Sequence, residues 1–420
     1  MKLGRLQWDF QWPLRCMTKH VCAKSLLFLL LSTTLSLLTS CAALLPSAIA
    51  QEPIKIGIIA PFTGPLAASG ESTWRGMLLA ADEINEGGGV LGRPIEILMR
   101  NVGEDSAAGE EAAIELADAG AVAVFGGIYD MVILDYLDEL HAHSVLFVNT
   151  WATIPTIVKN GYDPNLAFCL AAADTEVVSM LAQFTVDTLH AQKPAILAED
   201  SPWGDSTLTG LDEMLRQLGV AAPLMQRFHV GEPDIVAEVD KVRQAGADAL
   251  IMIARSDEAA AIVRSTESLG WKVPVIGHPT TKAGNFTERV GVTAINGVYV
   301  LQPKGLFSYD NPTQTALLEA YRKLFGAANP QITSHWEGVA RGYDGVQLLA
   351  KAIEQAQSVE TLEIVHALEQ LKTNYSGILK EYASPFSSEI RNAFTLADYT
   401  MAQWQQGQLI LAPLPSAPTQ

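Results

Sequence analysis

From Ile54 onward, short apolar runs alternate with longer stretches in which apolar residues recur every three or four positions. The runs are Ile54–Ala60, Ile95–Asn101, Ala121–Gly127, Val145–Thr150, Pro194–Asp200, Ala249–Arg255, Val273–Gly277 and Gly297–Gln302. Most are apolar throughout rather than alternating, the pattern of parallel strands covered on both faces. Between them the period predicts helices over Ser72–Asn85, Ala108–Ala119, Val132–His141, Thr175–His190, Thr207–Leu218, Asp234–Ala245 and Glu258–Leu269. In the first of these, Trp74, Met77, Leu78, Ala81 and Ile84 form the expected buried stripe. Strands separated by helices of this length make βαβ units, and so an α/β fold of doubly wound parallel sheets. After Pro303 the rhythm changes. Three helices follow one another, over Thr313–Phe325, Glu337–Gln357 and Val359–Leu371. Then come Gly377–Tyr382 and a hairpin, Tyr399–Gln405 with Gln408–Ala412, turned at Gln406-Gly407. The end, Pro413–Gln420, is rich in proline and reads as loose.

The first 50 residues differ. Lys19 and Lys24 precede an apolar run from Leu26 to Leu38, too short for a membrane-spanning helix and laid out as an export signal. Two endings are open. Leu38-Thr39-Ser40-Cys41 resembles the lipobox of bacterial lipoproteins, in which Cys41 is lipidated and leads the mature chain. Ala48-Ile49-Ala50 fits the small-x-small rule of ordinary cleavage and would free the product. Met17 is an alternative start. No later apolar run reaches about 18 residues, so nothing else is expected to span a membrane. With Cys16 and Cys22 leaving with the signal and Cys41 lipidated, Cys169 stands alone, and the exported body has no internal disulfide. A single Cys among apolar neighbours reads as a small buried hydrophobe.

The 420 residues suit two domains. Hydrophobic residues at 49% against 18% charged exclude a disordered or fibrous chain. A net charge of −18 argues against a nucleic-acid partner, which needs a basic face. Gly87–Gly92 matches G-x-G-x-x-G but follows a helix and precedes a strand, the reverse of a dinucleotide site, so it reads as a helix end and tight turn. The eight His are scattered, with His141 and His143 the one close pair, and no metal spacing surrounds them. There is no G-x-S-x-G elbow and no Walker loop. No catalytic residue, metal or cofactor is therefore expected, and the chain reads as a protein that is not an enzyme.

In open α/β sheets, ligands sit beyond the carboxyl ends of the strands. Here those segments are Phe62–Gly70, Ile128–Met131, Thr150–Thr153, Ser201–Trp203, Arg255–Asp257 and His278–Thr281. Helices start just after several of them, and helix N-termini suit a carboxylate. Tyr129, Trp151 and Trp203 in these loops suit the cover of an apolar ligand.

A family resemblance rests on the order of several motifs. IKIGIIAPFTG at Ile54–Gly64 and DEINEGGGVLGRPIEI at Asp82–Ile97 resemble the opening of the Leu/Ile/Val-binding family of periplasmic solute-binding proteins, the type I receptors of ABC transporters. AVAVFGG at Ala121–Gly127, TWATIP at Thr150–Pro155, EDSPWG at Glu199–Gly204, ADALIMIARSDEAAAIVRSTESLGW at Ala247–Trp271 and VIGHPTT at Val275–Thr281 continue it, and the resemblance covers roughly Ile54 to Leu411. It implies two Rossmann-like lobes with parallel sheets joined by a three-strand hinge, with the crossings near Asp174, Asn296 and Gly377. Residues 54–173 plus 297–377 would form one lobe, and residues 174–296 plus 378–412 the other. It further implies an extracytoplasmic component of an ABC importer, a monomer lying in the periplasm or at the outer face of the cytoplasmic membrane. Such a protein closes its cleft on a small amino acid or organic acid and presents it to an inner-membrane permease. A sensing protein that signals through a partner without transport is the alternative.

The resemblance also implies site roles. Thr153, with Ala152, matches a loop that holds the ligand's head group, although Thr is also a common helix cap. Trp151 replaces a small residue of that loop, either narrowing the pocket or packing into the core. Trp203 stands where the family has a Tyr over the ligand, and Ser69 where an aromatic is frequent. Tyr129 and Asp130 replace small hydroxyl residues that hold a carboxylate. Asp130 would repel such a group, so it either caps its helix or meets an amine or hydroxyl. Asp174 matches an acid near the ligand's amino group or a hinge position. In the second lobe, the position of an ammonium-binding Glu falls at Pro279, flanked by His278 and Thr280. Arg255 and Ser256 lie where aromatics are common, and Arg255 suits either a carboxylate or a solvated surface.

Overall fold

The computed structural model describes residues 51–220, 224–232, 234–282, 286–308, 311–326 and 336–412. The export signal with Cys41 and the tail from Pro413 lie outside them. The chain first lays down β1 (Ile54–Ala60), α1 (Ala67–Glu86), β2 (Ile95–Asn101), α2 (Ser106–Asp118), β3 (Ala121–Gly126), α3 (Asp130–Ala142), β4 (Leu146–Asn149) and β5 (Ala167–Cys169). It continues with α4 (Asp174–Gln183), β6 (Pro194–Glu199), α5 (Pro202–Gln217), β7 (Met225–Phe228), α6 (Val236–Gln244), β8 (Ala249–Ile253), α7 (Ser256–Ser268), β9 (Val275–Gly277), α8 (Phe286–Val290) and β10 (Tyr299–Pro303). Last come α9 (Pro312–Phe325), α10 (Trp336–Ala356), α11 (Thr361–Glu369), β11 (Tyr375–Ser376), β12 (Glu381–Tyr382), β13 (Tyr399–Gln405) and β14 (Gln408–Leu411).

Two sheets result, each the core of one lobe. The first has the order β2-β1-β3-β4-β5 and is parallel throughout. Its inner strand β1 is buried almost from end to end, and in register Ile58 lies between Met99 and Phe125. Edge strand β2 is buried only at Ile95 and otherwise half-buried or exposed, as suits an edge. The second sheet runs β14-β13-β10-β9-β8-β6-β7, parallel from β10 to β7, with β13 and β14 antiparallel at its far edge. The turn over Gly87–Gly92 places Gly88, Gly89 and Gly92 at positive φ after α1, as a helix-ending turn and not a phosphate loop.

Two of the expected lobe crossings shift. Tyr299–Pro303 is hydrogen-bonded between β9 and β13, so this strand belongs to the second sheet and the return to the first lobe follows Pro303, not Asn296. Gly377 stays with the first lobe. The backbone N–H groups of Ile378 and Leu379 donate to the Asp344 carboxylate of α10 at 2.8 and 3.1 Å, and the Tyr375 and Tyr382 hydroxyls donate to it at 3.1 and 3.0 Å. The chain then pairs with β5 around Cys169 and Asn392, so the third crossing lies between Ala393 and Tyr399. The buried side of α1 also differs from the expected stripe. It is lined by Ser69, Ser72, Thr73, Gly76 and Met77, while Trp74 and Leu78 are half-buried. Helix α10 approaches this side so closely that a Cβ on Gly342 would stand 2.1 Å from the Thr73 carbonyl oxygen. Small residues, not large apolar ones, make that contact.

Candidate functional site

The loops leaving the carboxyl ends of both sheets converge on one cavity. Leu66 and Ser69 follow β1, Ile128 and Asp130 follow β3, and Trp151, Ala152 and Thr153 follow β4. From the second lobe come Trp203 after β6, Arg255 after β8 and Thr280 after β9. The space is small, about 30 Å³ as traced by the centre of a water molecule, which admits two or three waters. It adjoins a groove of about 460 Å³ on the same measure, which shares Asp130, Trp203 and Arg255 with it. Tyr129 lines this outer groove, and Ser256 a further one beyond Arg255.

The first-lobe wall is shaped by a buried amide. Asn149, the last residue of β4, donates from Nδ2 to the Ala152 carbonyl at 2.7 Å. Its Oδ1 accepts from the backbone N–H groups of Trp151 and Ala152 at 3.2 and 3.1 Å. Gly127 has φ +120, and a Cβ there would stand 2.1 Å from Asn149 Oδ1, so only glycine lets the two loops meet. Trp151 both lines the cavity and packs into the core: its Nε1–H donates to Thr73 Oγ1 at 3.0 Å, and the Arg341 guanidinium lies over its ring at 5.3 Å.

Asp174 and His278 stand behind the lining rather than in it. Both are almost fully buried. Asp174 Oδ1 accepts from the Thr153 hydroxyl at 2.6 Å and pairs with His278 Nε2 at 3.1 Å, while Oδ2 accepts from the Thr207 hydroxyl at 3.2 Å. His278 Nδ1 meets the Thr280 backbone N–H at 3.2 Å, which assigns the proton on Nε2 to the Asp174 bond. Burial alone would raise the Asp174 carboxyl; the donors His278, Thr153 and Thr207 outweigh it and hold the group below the usual range.

A family model described as periplasmic binding protein matches residues 53–408. The chain belongs to this family. It is 25% identical over 355 residues to Leu/Ile/Val-binding protein homolog 2 of Brucella abortus, covering 84% of this chain and 91% of that one. Among solved structures, it matches the branched-chain amino acid transporter substrate-binding protein of Streptococcus pneumoniae in complex with isoleucine. That match has a TM-score of 0.74 and 21% identity, covering 86% of this chain and 99% of the other. A solute-binding protein of R. palustris in complex with 4-hydroxybenzoate matches with a TM-score of 0.74 and 18% identity, covering 86% and 96%. These neighbours share the type I periplasmic binding protein fold, two lobes built on parallel sheets.

In this periplasmic binding protein the second-lobe wall is basic at its surface and acidic behind. Arg255 Nη1 pairs with Glu199 Oε1 at 2.9 Å, and its guanidinium lies 5.7 Å from the Trp203 ring centre. Glu199 ends β6 fully buried; burial raises its carboxyl, with Arg255 and the Ser201 hydroxyl opposing the shift. Trp203 Nε1 is buried without a hydrogen-bond partner, and so is Asp130 Oδ1 across the cavity. Burial pushes the Asp130 carboxyl up to about 7, with Arg255 opposing and the charges of Asp174 and Glu199 adding. Cys169 is buried, its thiol pushed up to about 11 by burial, which suits packing rather than reactivity. Asn149, Glu199 and Thr207 also matter to the site, Asn149 by bracing the adjacent Trp151-Ala152 turn, and Glu199 and Thr207 through partners distant in sequence, Arg255 and Asp174. No helix among the described residues is long and apolar enough to cross a membrane.

Proposed function

We propose that this chain is the extracytoplasmic solute-binding component of an ABC importer, closing its two lobes on a small amino-acid-like or carboxylate solute. The observation that carries this reading is the convergence of loops from both sheets, with Thr153 and Asp130 on one wall and Trp203 and Arg255 on the other, on a single cavity. Each loop leaves a rigid strand, so the polar groups are already placed and little ordering cost falls on binding. The lobes meet through three thin crossings, near Ala172, after Pro303 and before Tyr399, which suit hinge closure. The relatives' names supply the solute classes, branched-chain amino acids and an aromatic acid, both carboxylates. The closed form is the state a permease would recognise. The export-signal pattern of the first 50 residues supports a position outside the cytoplasmic membrane, with the chain anchored at Cys41 or freed after Ala50.

A thermal-shift screen of amino acids and aromatic acids tests the reading. A true solute at 100 times its Kd adds about 2.7 kcal/mol of stability. Trp203→Ala is expected to weaken binding of that solute at least tenfold while the protein stays folded; unchanged affinity removes Trp203, and with it this cavity, from the account. Cell fractionation separates the two leader endings. Cys41→Ser is expected to release the protein from membranes, whereas a wild type that is already free supports cleavage after Ala50.

A further inference from the structure

Beneath the cavity, a buried charged cluster gathers groups from both lobes. Lys282 ends the one-turn helix Pro279–Lys282 of the second lobe, two residues beyond Thr280 of the cavity wall. Glu337 and Arg341 lie one turn apart on α10 of the first lobe. All three are almost fully buried. The Arg341 guanidinium donates to Glu337 Oε1, to the Thr150 carbonyl at 2.5 Å and to the Tyr399 hydroxyl at 3.3 Å, and it lies over the Trp151 ring. The Tyr399 hydroxyl also accepts from the Ala172 N–H at 3.4 Å. Lys282 Nζ donates to Gln302 Oε1 at 2.5 Å, on β10 of its own lobe. Ala172, Gln302 and Tyr399 thus bring a residue at each of the three crossings to the cluster. Two groups have capacity to spare. Glu337 Oε2 is buried without a partner, a costly state for a carboxylate oxygen. Lys282 gives one proton to Gln302, and an ammonium carries three.

Resting on the reading that the lobes close over the cavity, we propose that Lys282 and Glu337 are positioning residues for that closure. As the cleft narrows, Lys282 Nζ reaches Glu337 Oε2, and a buried ion pair ties the second lobe to the first. The Lys282–Gln302 bond lies within one lobe and survives a hinge rotation; the gap from Lys282 to Glu337 lies between lobes and changes with it. That gap is on the cavity side of the crossings. Lys282 follows Thr280, and a Cβ on Gly338, next to Glu337, would stand 2.9 Å from the Trp151 ring, so both groups sit under the cavity walls. The outer groove of about 460 Å³, lined from both lobes by Ile154 and Trp203, leaves room for the approach. Neither residue lines the cavity, so the pair adds the same increment to every solute that closes the cleft. It forms only while Lys282 is charged. Burial lowers that ammonium to about 8, with Glu337 of α10 opposing the shift and Arg341 adding to it. Tyr399 of β13, Cys169 of β5 and Tyr382 of β12 face Arg341 and are pushed up by burial, so they are neutral here. His278, upstream of Lys282, is turned to Asp174. Pairing with Glu337 raises the Lys282 ammonium again, so closure takes up a proton above about pH 8 and weakens there.

The test uses the exported protein with spin labels at Glu110→Cys on α2 and Glu213→Cys on α5, one exposed site in each lobe; Cys169 is buried. Isoleucine, or the tightest binder of the thermal-shift screen, is the solute probe. Interlobe distances and binding are read at about pH 7 and about pH 9, either side of the Lys282 titration. Lys282→Met and Glu337→Gln are each expected to reduce the short-distance, closed fraction and to weaken the probe about tenfold, through faster dissociation and not slower association. The double variant is expected to lose no more than either single one, the mark of a shared interaction. Between about pH 7 and about pH 9 the wild type is expected to lose about fivefold in affinity relative to Lys282→Met, which shares every other titration. Urea unfolding checks that each variant is folded, and Lys282→Gln serves if Lys282→Met is not. Variants that close and bind as the wild type does, or single losses that add in the double variant, overturn the pair while the closing reading stands. Wild-type label distances that stay fixed with the probe bound overturn closure itself, and the pair with it. If nothing in the screen binds, the ligand-free distances decide, and equal closed fractions in wild type and variants overturn the pair.

Discussion

Asp174 and Asp130 are both acids at the first position of a helix, α4 and α3, where the helix dipole favours negative charge; Asp130 lines the cavity and Asp174 lies just behind its Thr153 wall. From that common start they part. Asp174 is enclosed by three side-chain donors, Thr153, Thr207 and His278, and its carboxyl is held low. Asp130 has an oxygen buried with no donor at all, and its carboxyl is pushed up to about 7. The difference separates an acid that builds the site from an acid that waits for a guest. Burial is similar in kind; the partners decide the outcome.

The comparison is broken most severely by Asp174→Ala. That change strands the Thr153 hydroxyl and the His278 imidazole in the interior, while the Thr207 hydroxyl keeps the Trp203 carbonyl at 2.8 Å, and it is expected to cost about 4 kcal/mol in urea unfolding, as removing one member of a buried charged network does. A loss under about 1 kcal/mol would mean that Asp174 is not the structural acid. The second effect concerns Asp130 and pH. Its folded carboxyl holds a proton more tightly than the unfolded one, which titrates near 3.8. The ligand-free protein is therefore expected to lose stability as pH rises from about 4 to about 7. Asp130→Asn should remove that loss and gain about 2 kcal/mol at pH 8, measured by denaturant titration across pH. Equal pH profiles for the two proteins would place Asp130 in solvent instead. The smallest effect sharpens the opposite wall. Trp203→Phe keeps a ring against His278 and beneath Arg255 but deletes the unpaired Nε1–H, and it is expected to weaken solute binding about five- to tenfold, near 1 kcal/mol. A fall as large as that of Trp203→Ala would make the ring, not the donor, the binding element.

Much of the fold is legible in the chain because burial on both faces writes itself as unbroken apolar runs. IKIGIIA and ALIMI are strands almost residue for residue. Elements with little burial or little length are not legible in this way. Three-residue β5 and edge strand β7, with its alternating exposure, carry no comparable signal. The buried side of α1 is hidden for another reason: Ser69, Ser72, Thr73 and Gly76 are polar or small, and only the close approach of α10 makes them interior. The site loops are legible because topology puts ligands at strand ends. The division of labour among their acids is not, because it depends on partners 21, 33 and 104 residues from Asp174 in sequence. Glu199 is likewise an ordinary acid until β6 and β8 lie side by side and bring Arg255 to it.

A crystal structure of the protein with a bound amino acid tests the central claim most directly. The account predicts the solute between the lobes, with polar atoms about 3 Å from Asp130 or Thr153 on one wall and from Trp203 Nε1 or Arg255 on the other. A solute held outside this cavity, or one that touches a single wall, would contradict it.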